Sequence, residues 1–240
     1  MNFAMNLRVT TTLTTLIVSC TTAPSALAQV HAGDIVVRLN SEGTQLVTGI
    51  ADEETGAVTM GVRVFNSTLG ETLVNFTNEP GFDSGSGQFP FPCQIGFTIR
   101  RALRRWDGTS FTVIPPERIQ AQLGPNGPTL TPLTDTPVVG FSLPVSTDGE
   151  YHHHIGYSLL DPAGDGIYLY EATLWTNLSG VMPSRSFWIL FNQNRGGAEV
   201  EQANDWVARN LLGCASDFHA DGFVTGDDYD AFVDAFQAGC

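Results

Sequence analysis

The chain has 240 residues, a formal net charge of −14 and no lysine. An acidic surface of this kind repels nucleic acid and anionic lipid, so we expect no nucleic-acid partner. The sequence contains no P-loop, dinucleotide-binding fingerprint, nucleophile elbow or H-E-x-x-H motif. The absence of these motifs favours a non-catalytic protein. The acidic surface suits a protein that works in salt-rich surroundings or binds cations.

The first 28 residues have the features of a secretory signal peptide. Arg8 supplies a positive charge, an apolar stretch follows it, and Ala26-Leu27-Ala28 forms a small-residue cleavage site. Cys20 ends a lipobox-like stretch and offers a second cleavage site, where it would become a lipidated first residue. We therefore expect an extracellular or cell-surface protein that begins near Gln29 or at Cys20. No later stretch is apolar for long enough to span a bilayer.

Residues 29–213 predict a mainly β domain, an antiparallel β-sandwich with one packing helix. Short runs rich in Val, Ile, Phe, Tyr and Thr alternate with Gly, Pro, Asn and Asp, and no helical periodicity falls between them. Such spacing is typical of a sandwich. The predicted strands cover 34–39, 45–50, 58–64, 96–100, 111–114, 118–123, 138–143, 152–160, 167–175 and 186–191.

Three further features of this domain follow from the pattern. Residues 152–175 predict a β-hairpin whose turn is the Gly- and Pro-containing run 161–166. Residues 69–92 predict a long irregular loop, and residues 124–128 a turn. Residues 198–212 have helical periodicity, and their apolar stripe predicts a helix that packs on the sandwich.

Residues 217–228 have the spacing of an EF-hand calcium loop. Gly222 falls where the loop turns sharply, and the apolar Val224 falls where a side chain packs inward. A helix is predicted to begin at Asp228, which closes the loop. The predicted Ca²⁺ ligands are Asp217, His219, Asp221, Thr225 and Asp228, together with the backbone carbonyl of Phe223.

The segment 214–240 resembles a dockerin repeat, because it is a loop followed by a helix rather than a helix-loop-helix. Its Gly239-Cys240 ending is similar to the GC-type dockerin domains that end many secreted proteins. One repeat is present where cellulosomal dockerins have two, and His219 stands where the family usually has Asn or Asp. The resemblance implies a calcium-binding anchor with a cohesin-like or other cell-surface partner.

Three cysteines follow the signal peptide, namely Cys93, Cys214 and Cys240. Cys214 and Cys240 bracket the calcium segment, and export permits disulfides. We therefore predict a disulfide bond between them. Cys93 is then expected to be free and buried as a small apolar residue.

The run His152-His153-His154 lies at the start of a predicted strand. In a strand, His152 and His154 share one face and His153 points to the other. Such an H-x-H pair offers two imidazoles to one metal, and zinc would need one or two more ligands. His31 and Asp34, near the expected mature N-terminus, are the candidates for these. Exposed histidines on a polar edge strand are the alternative.

The body of the chain also resembles secreted proteins that are repressed by the zinc-uptake regulator and often carry a PEP-CTERM anchor. The matching stretches occur in the same order and cover 31–36, 75–83, 102–107, 148–154, 166–169 and 187–192. His152 and His154 fall on that family's H-x-H. The resemblance implies zinc binding, although the anchor of this chain is dockerin-like instead.

Together these observations predict a secreted or surface-attached binding protein with zinc at the H-x-H pair and a calcium-dependent anchor at 214–240. Two alternatives stay open at this stage. One is a carbohydrate-active or other extracellular hydrolase, and the other is a structural surface protein.

Overall fold

The computed structural model describes residues 33–52, 54–212 and 226–237. The strands are β1 (Ile35–Leu39), β2 (Leu46–Ala51), β3 (Val58–Met60), β4 (Val64–Thr68), β5 (Phe76–Thr77), β6 (Phe82–Asp83), β7 (Gln94–Ile99), β8 (Arg104–Arg105), β9 (Ile119–Leu123), β10 (Asn126–Leu130), β11 (Val138–Pro144), β12 (His152–His153), β13 (Gly156–Leu159), β14 (Gly166–Thr176) and β15 (Phe187–Gln193). The helices are α1 (Gly197–Leu211) and α2 (Gly226–Gln237).

The described strands form three sheets. One has the order β12-β6-β1-β2-β3, the second β10-β9-β13-β5, and the third β11-β7-β14-β15-β4, with β8 also pairing with β14. The predicted mainly β fold is confirmed, and the arrangement is consistent with a β-sandwich. Not every pair is antiparallel, however, because β1 runs parallel to β6 and β4 runs parallel to β15.

The long strand β14 is covered on both faces. Tyr168 and Tyr170 point into the main core, whereas Ile167 and Leu169 point to a second apolar cluster beneath α1. Val207 of α1 is fully buried in that second cluster. Burying a side chain of this kind contributes about 1.5–3 kcal/mol. The prediction that the helix packs on the sandwich is therefore confirmed.

The predicted hairpin over residues 152–175 is wrong. β13 pairs with β5 and β9, whereas β14 pairs with β7, β8 and β15. The turn between them carries the chain from one sheet to the other. As a result, Tyr157 and Tyr170 pack against each other across the core, with ring centroids 6.0 Å apart.

Several other predicted boundaries also need correction. The supposed loop 69–92 contains β5 and β6, the supposed turn 124–128 runs into β10, and the predicted strand 58–64 is divided into β3 and β4. Residues 111–114 contribute only an isolated bridge, between Val113 and Arg105. Strands of two residues are too short to produce a visible alternation of apolar and polar positions, so the sequence pattern does not indicate β5 or β6.

Part of the predicted organisation lies outside the described residues. This applies to the signal peptide, to His31, to Cys214 and Cys240, and to the loop positions Asp217, His219, Asp221, Phe223 and Thr225. Helix α2 begins at Gly226, two residues before the predicted start. Cys93 is a buried free thiol, as predicted. Neither of the described helices is long and apolar enough to cross a membrane.

Candidate metal centre

The register of three neighbouring strands brings Asp34, His152 and His154 to one face of a sheet. His152 of β12 lies opposite Asp83 of β6, and Asp83 lies beside Val36 of β1. Because side chains alternate along a strand, the residues two positions away share this face. Two residues along each strand, Asp34 and His154 therefore lie on either side of Gly81. We call Asp34, His152 and His154 the histidine site.

Gly81 is the residue that allows this approach. A Cβ built at position 81 would lie 2.7 Å from Cε1 and from Nδ1 of His154, and 2.9 Å from Oδ1 of Asp34. Without a side chain between them, the imidazole and the carboxylate meet across β6. The backbone N–H of Gly81 also donates a hydrogen bond to Oδ1 of Asp34 at 2.9 Å, which orients the carboxylate.

The potential ligand atoms of the histidine site converge. Nε2 of His152 lies 3.2 Å from Nε2 of His154, which in turn lies 3.6 Å from Oδ2 of Asp34. All three side chains offer ligand atoms within 4.8 Å of one another. Ligands placed at about 2.0–2.1 Å around a tetrahedral Zn²⁺ are separated by about 3.3 Å. The two separations in the histidine site, 3.2 and 3.6 Å, lie on either side of that value.

The surroundings of His154 indicate which of its ring nitrogens carries the proton. Nδ1 lies 3.2 Å from a carboxylate oxygen of Glu79 and 3.3 Å from the carbonyl oxygen of Asn78. Both neighbours are acceptors, so Nδ1 carries a proton and donates. In the neutral ring the lone pair is then on Nε2, the atom that faces His152 and Asp34. A carboxylate behind a metal-binding histidine holds the ring in this tautomer.

Asp34 is deeply buried, with 1% of its surface exposed. Burial penalises its charged form and raises the pKa of Asp34, and the nearby His154 partly offsets this shift. An ionised carboxylate in this place is stabilised by any cation that joins it, whether a proton on His154 or a metal ion.

His153 lies outside the histidine site, as the strand pattern predicts. Its ring packs edge-on against Tyr151, with centroids 4.9 Å apart, and its Nε2 lies 2.9 Å from the carbonyl oxygen of Pro144. The pKa of His153 is lowered, mainly because burial penalises the charged form of the ring. This histidine is therefore part of the packing on the opposite face of β12.

A second group of potential ligands adjoins the first. Asp83, Glu150 and His152 also bring their ligand atoms within 4.8 Å of one another. Asp83 is 1% exposed, and its Oδ1 accepts a hydrogen bond from the backbone N–H of Gly85 at 2.8 Å. Glu150 and His152 are partly buried. His152 thus belongs to both groups.

Local sequence patterns identify two histidines and Asp34 but do not identify four other residues of this region. Asp83, Gly81 and Glu79 fall within residues 69–92, where the sequence pattern predicts a loop. Glu150 could have been found, because it precedes His152 and His154 at the two-residue period of a strand face. His31, the fourth predicted zinc ligand, lies outside the described residues.

Comparisons with known proteins give no further assignment. The chain matches no family model, and neither the curated proteins nor the solved structures contain a detectable match.

Proposed function

We propose that this chain is an exported, non-catalytic binding protein that holds zinc at the histidine site. The observation that supports the proposal most strongly is the meeting of electron-rich atoms. Nε2 of His154 faces both Nε2 of His152 and Oδ2 of Asp34, at 3.2 and 3.6 Å. With Nδ1 of His154 protonated, its Nε2 directs a lone pair toward the other two atoms, and a metal ion placed among the three can bind all of them together.

The chemistry of the donors favours zinc over hard cations. Two imidazoles and one carboxylate form a nitrogen-rich set that suits Zn²⁺, whereas Ca²⁺ and Mg²⁺ prefer oxygen ligands. Three protein ligands leave one tetrahedral position for a further donor. His31, as a residue of the expected mature N-terminus, is a candidate for it, and water is the other.

A zinc competition titration with a chelating dye tests this proposal on the full exported chain. We expect the double variant His152→Ala/His154→Ala to lose at least about 100-fold in affinity, because even residues behind the ligands typically contribute 10- to 100-fold. His153→Gln is the matched control, since His153 contacts Pro144 on the opposite face. Equal affinity in the wild type and the double variant would refute the proposal.

Zinc bound elsewhere needs its own control. His219, in the predicted calcium loop, is a further potential ligand. The titration is therefore repeated in a His219→Ala background, in which the difference between the wild type and the double variant is expected to persist.

We further propose that residues 214–240 attach the protein to a cohesin-like or other cell-surface partner in the presence of calcium. The EF-hand spacing of 217–228 supports this, as does a helix, α2, that begins at Gly226 near the end of that loop. The single repeat and His219 favour weak binding, with a Kd on the order of 10⁻⁴ M or weaker.

Calorimetric titration of the full chain with Ca²⁺ tests the anchor. The expected result is a calcium-binding event that Asp217→Ala abolishes and that Mg²⁺ does not reproduce. Identical heats in the wild type and in Asp217→Ala would show that this segment is only an acidic tail.

A further inference from the structure

The face of β12 that carries the histidine site continues with acidic side chains. Glu150, His152 and His154 alternate along the chain, so they point to the same side of the edge strand. Asp83 lies directly opposite His152 in the antiparallel register. Directly opposed residues have Cβ atoms about 4.5–5.5 Å apart, which brings the Asp83 carboxylate beside the His152 ring.

Glu150 is held in place by a well-defined turn. Its backbone N–H lies 3.2 Å from the Ser146 hydroxyl and 3.3 Å from Oδ1 of Asp148. Its carbonyl accepts hydrogen bonds from Ser146. The backbone N–H of the next residue, Tyr151, donates to the Ser84 hydroxyl, and the backbone N–H of Ser84 donates to the carbonyl oxygen of Tyr151. The segment that carries Glu150 is therefore fixed against the segment that carries Asp83.

Asp83 is a buried carboxylate in a region already rich in negative charge. It is 1% exposed, and Glu150 adds a second carboxylate beside it. Two carboxylates that share a partly dry site repel each other, and a cation between them removes that repulsion. The His152 ring supplies a nitrogen donor to the same point, within 4.8 Å of both carboxylates.

From this arrangement we propose that the metal centre has two positions. One divalent cation binds at the histidine site, and a second binds between Asp83, Glu150 and His152. The proposal rests on the proposed zinc function and deepens it. The second position has two carboxylates and one imidazole, so it is the harder and weaker of the two for zinc.

The shared histidine sets a chemical condition on double occupancy. Each imidazole nitrogen has one lone pair, so two ions on one ring use its two nitrogens. Nε2 of His152 faces His154 and belongs to the first position. A second ion bound at the same time would therefore use Nδ1 of His152 and displace the proton of that nitrogen to solvent.

Native mass spectrometry during a zinc titration gives the stoichiometry directly, and the dye competition gives the two affinities. We use the full chain in the His219→Ala background. The expected result is two zinc ions for each chain, with the second bound at least about tenfold more weakly than the first.

Isosteric variants separate the two positions. Asp83→Asn keeps an oxygen that can accept the hydrogen bond from the backbone N–H of Gly85. We expect Asp83→Asn and Glu150→Gln each to remove the second zinc ion and to keep the first. We expect His154→Ala to weaken the first position and to keep the second. Glu201→Gln, an exposed residue of α1, is the charge-matched control and should leave both unchanged.

The outcomes distinguish this inference from the function on which it rests. One zinc ion in the wild type, with unchanged affinity in Asp83→Asn and Glu150→Gln, would overturn the second position and leave the zinc function intact. Loss of both ions in Asp83→Asn, with native circular dichroism retained, would show a single combined site and also overturn it. A wild type that binds no zinc through His152 and His154 would overturn both proposals.

Discussion

Two buried carboxylates of this protein, Glu171 and Asp34, are held by different kinds of partner. Glu171 lies on β14, where Nε of Arg101 approaches its Oε2 at 2.6 Å and the Ser186 hydroxyl donates to its Oε1 at 2.7 Å. Asp34 instead accepts a backbone hydrogen bond from Gly81 and faces the His154 ring. Arginine is always charged, whereas an imidazole is charged only when it is protonated.

This difference separates a structural pair from a binding site. The Arg101 guanidinium and the Ser186 hydroxyl lie beside Glu171. Because the guanidinium keeps its positive charge at every ordinary pH, Glu171 always has a charged partner. Asp34 has a neighbour whose positive charge can leave, and a metal ion can replace that proton. Mutations should therefore affect the two places in different measurements, which are stability at Glu171 and metal affinity at Asp34.

The largest effect on stability is expected from Arg101→Ala. The change leaves Glu171 buried without its charged partner, and we expect the free energy of unfolding to fall by about 2–3 kcal/mol. This is less than the roughly 3–5 kcal/mol expected for a fully buried pair, because the Arg101 side chain is 46% exposed and solvent screens the interaction. Urea denaturation measures the loss, and zinc affinity should not change.

The matched control is Arg209→Ala, which removes a surface pair with Asp205 on α1. Both of those side chains are well exposed, so the loss should stay below about 0.5 kcal/mol. If the two arginine variants were equally stable, Glu171 would not depend on its partner and the comparison would fail.

Gly81→Ala should affect stability and metal binding together. The added Cβ would meet the His154 ring and Oδ1 of Asp34 at less than 3 Å, so one of them must move. We expect a loss of about 1–3 kcal/mol, typical of overpacking, and weaker zinc binding.

Gly197→Ala is the control for this glycine substitution. Residue 197 begins α1, has open space around it, and should gain slightly from the better helix propensity of alanine. Unchanged zinc affinity in Gly81→Ala would mean that His154 and Asp34 need not meet across β6.

Glu79→Gln should reduce zinc affinity with little change in stability. The Glu79 carboxylate lies 3.2 Å from Nδ1 of His154, but its side chain is 53% exposed. Loss of such a partner behind a ligand typically costs about 10- to 100-fold in metal affinity. Glu71→Gln, an exposed residue between β4 and β5, serves as control in the dye titration. Equal affinities for the two variants would exclude a role for Glu79 in orienting His154.

The smallest expected effect is a stabilisation of the metal-free protein by Asp34→Asn at neutral pH. Burial raises the pKa of Asp34, so the folded state binds its proton more tightly than the unfolded state does. That contribution is complete below the ordinary carboxyl pKa and is lost as the pH rises through the raised value. Ionisation of Asp34 therefore costs stability, and the neutral amide avoids that cost.

Thermal unfolding with a chelator, at neutral and at acid pH, checks this prediction. The advantage of Asp34→Asn should disappear in acid, and it should reverse at neutral pH when zinc is added, because the variant has lost a ligand. A metal-free variant less stable than the wild type at pH 7 would mean that the charge of Asp34 is already neutralised, as that of Glu171 is.

The sequence was sufficient to predict the elements whose pattern is long and regular. α1 has a clear apolar stripe, and β14 and β15 are long runs of apolar residues, so each was predicted within a few residues of its bounds. The alternation within 152–154 also placed His152 and His154 on one face correctly. Local periodicity, however, does not specify which strands pair, and the hairpin of β13 with β14 was wrong for that reason.

The candidate site depends on strand pairings between distant parts of the chain. Asp34 and His154 meet only because β6 lies between β1 and β12, and β6 has two residues in a stretch rich in Gly, Pro and Ser. No local pattern indicates that Gly81 separates the two ligands or that Asp83 opposes His152. The sequence therefore supplied candidate ligands, and the fold supplied their convergence.

X-ray absorption at the zinc edge tests the central claim most directly. The sample is the full chain in a His219→Ala/His153→Gln background, loaded with one equivalent of Zn²⁺. We predict two imidazole ligands at about 2.0–2.1 Å, oxygen ligands at about 2.0–2.2 Å and no sulfur, with the imidazole signal lost in His152→Ala/His154→Ala. A first shell made of oxygen alone, or one containing sulfur at about 2.3 Å, would contradict zinc binding at Asp34, His152 and His154.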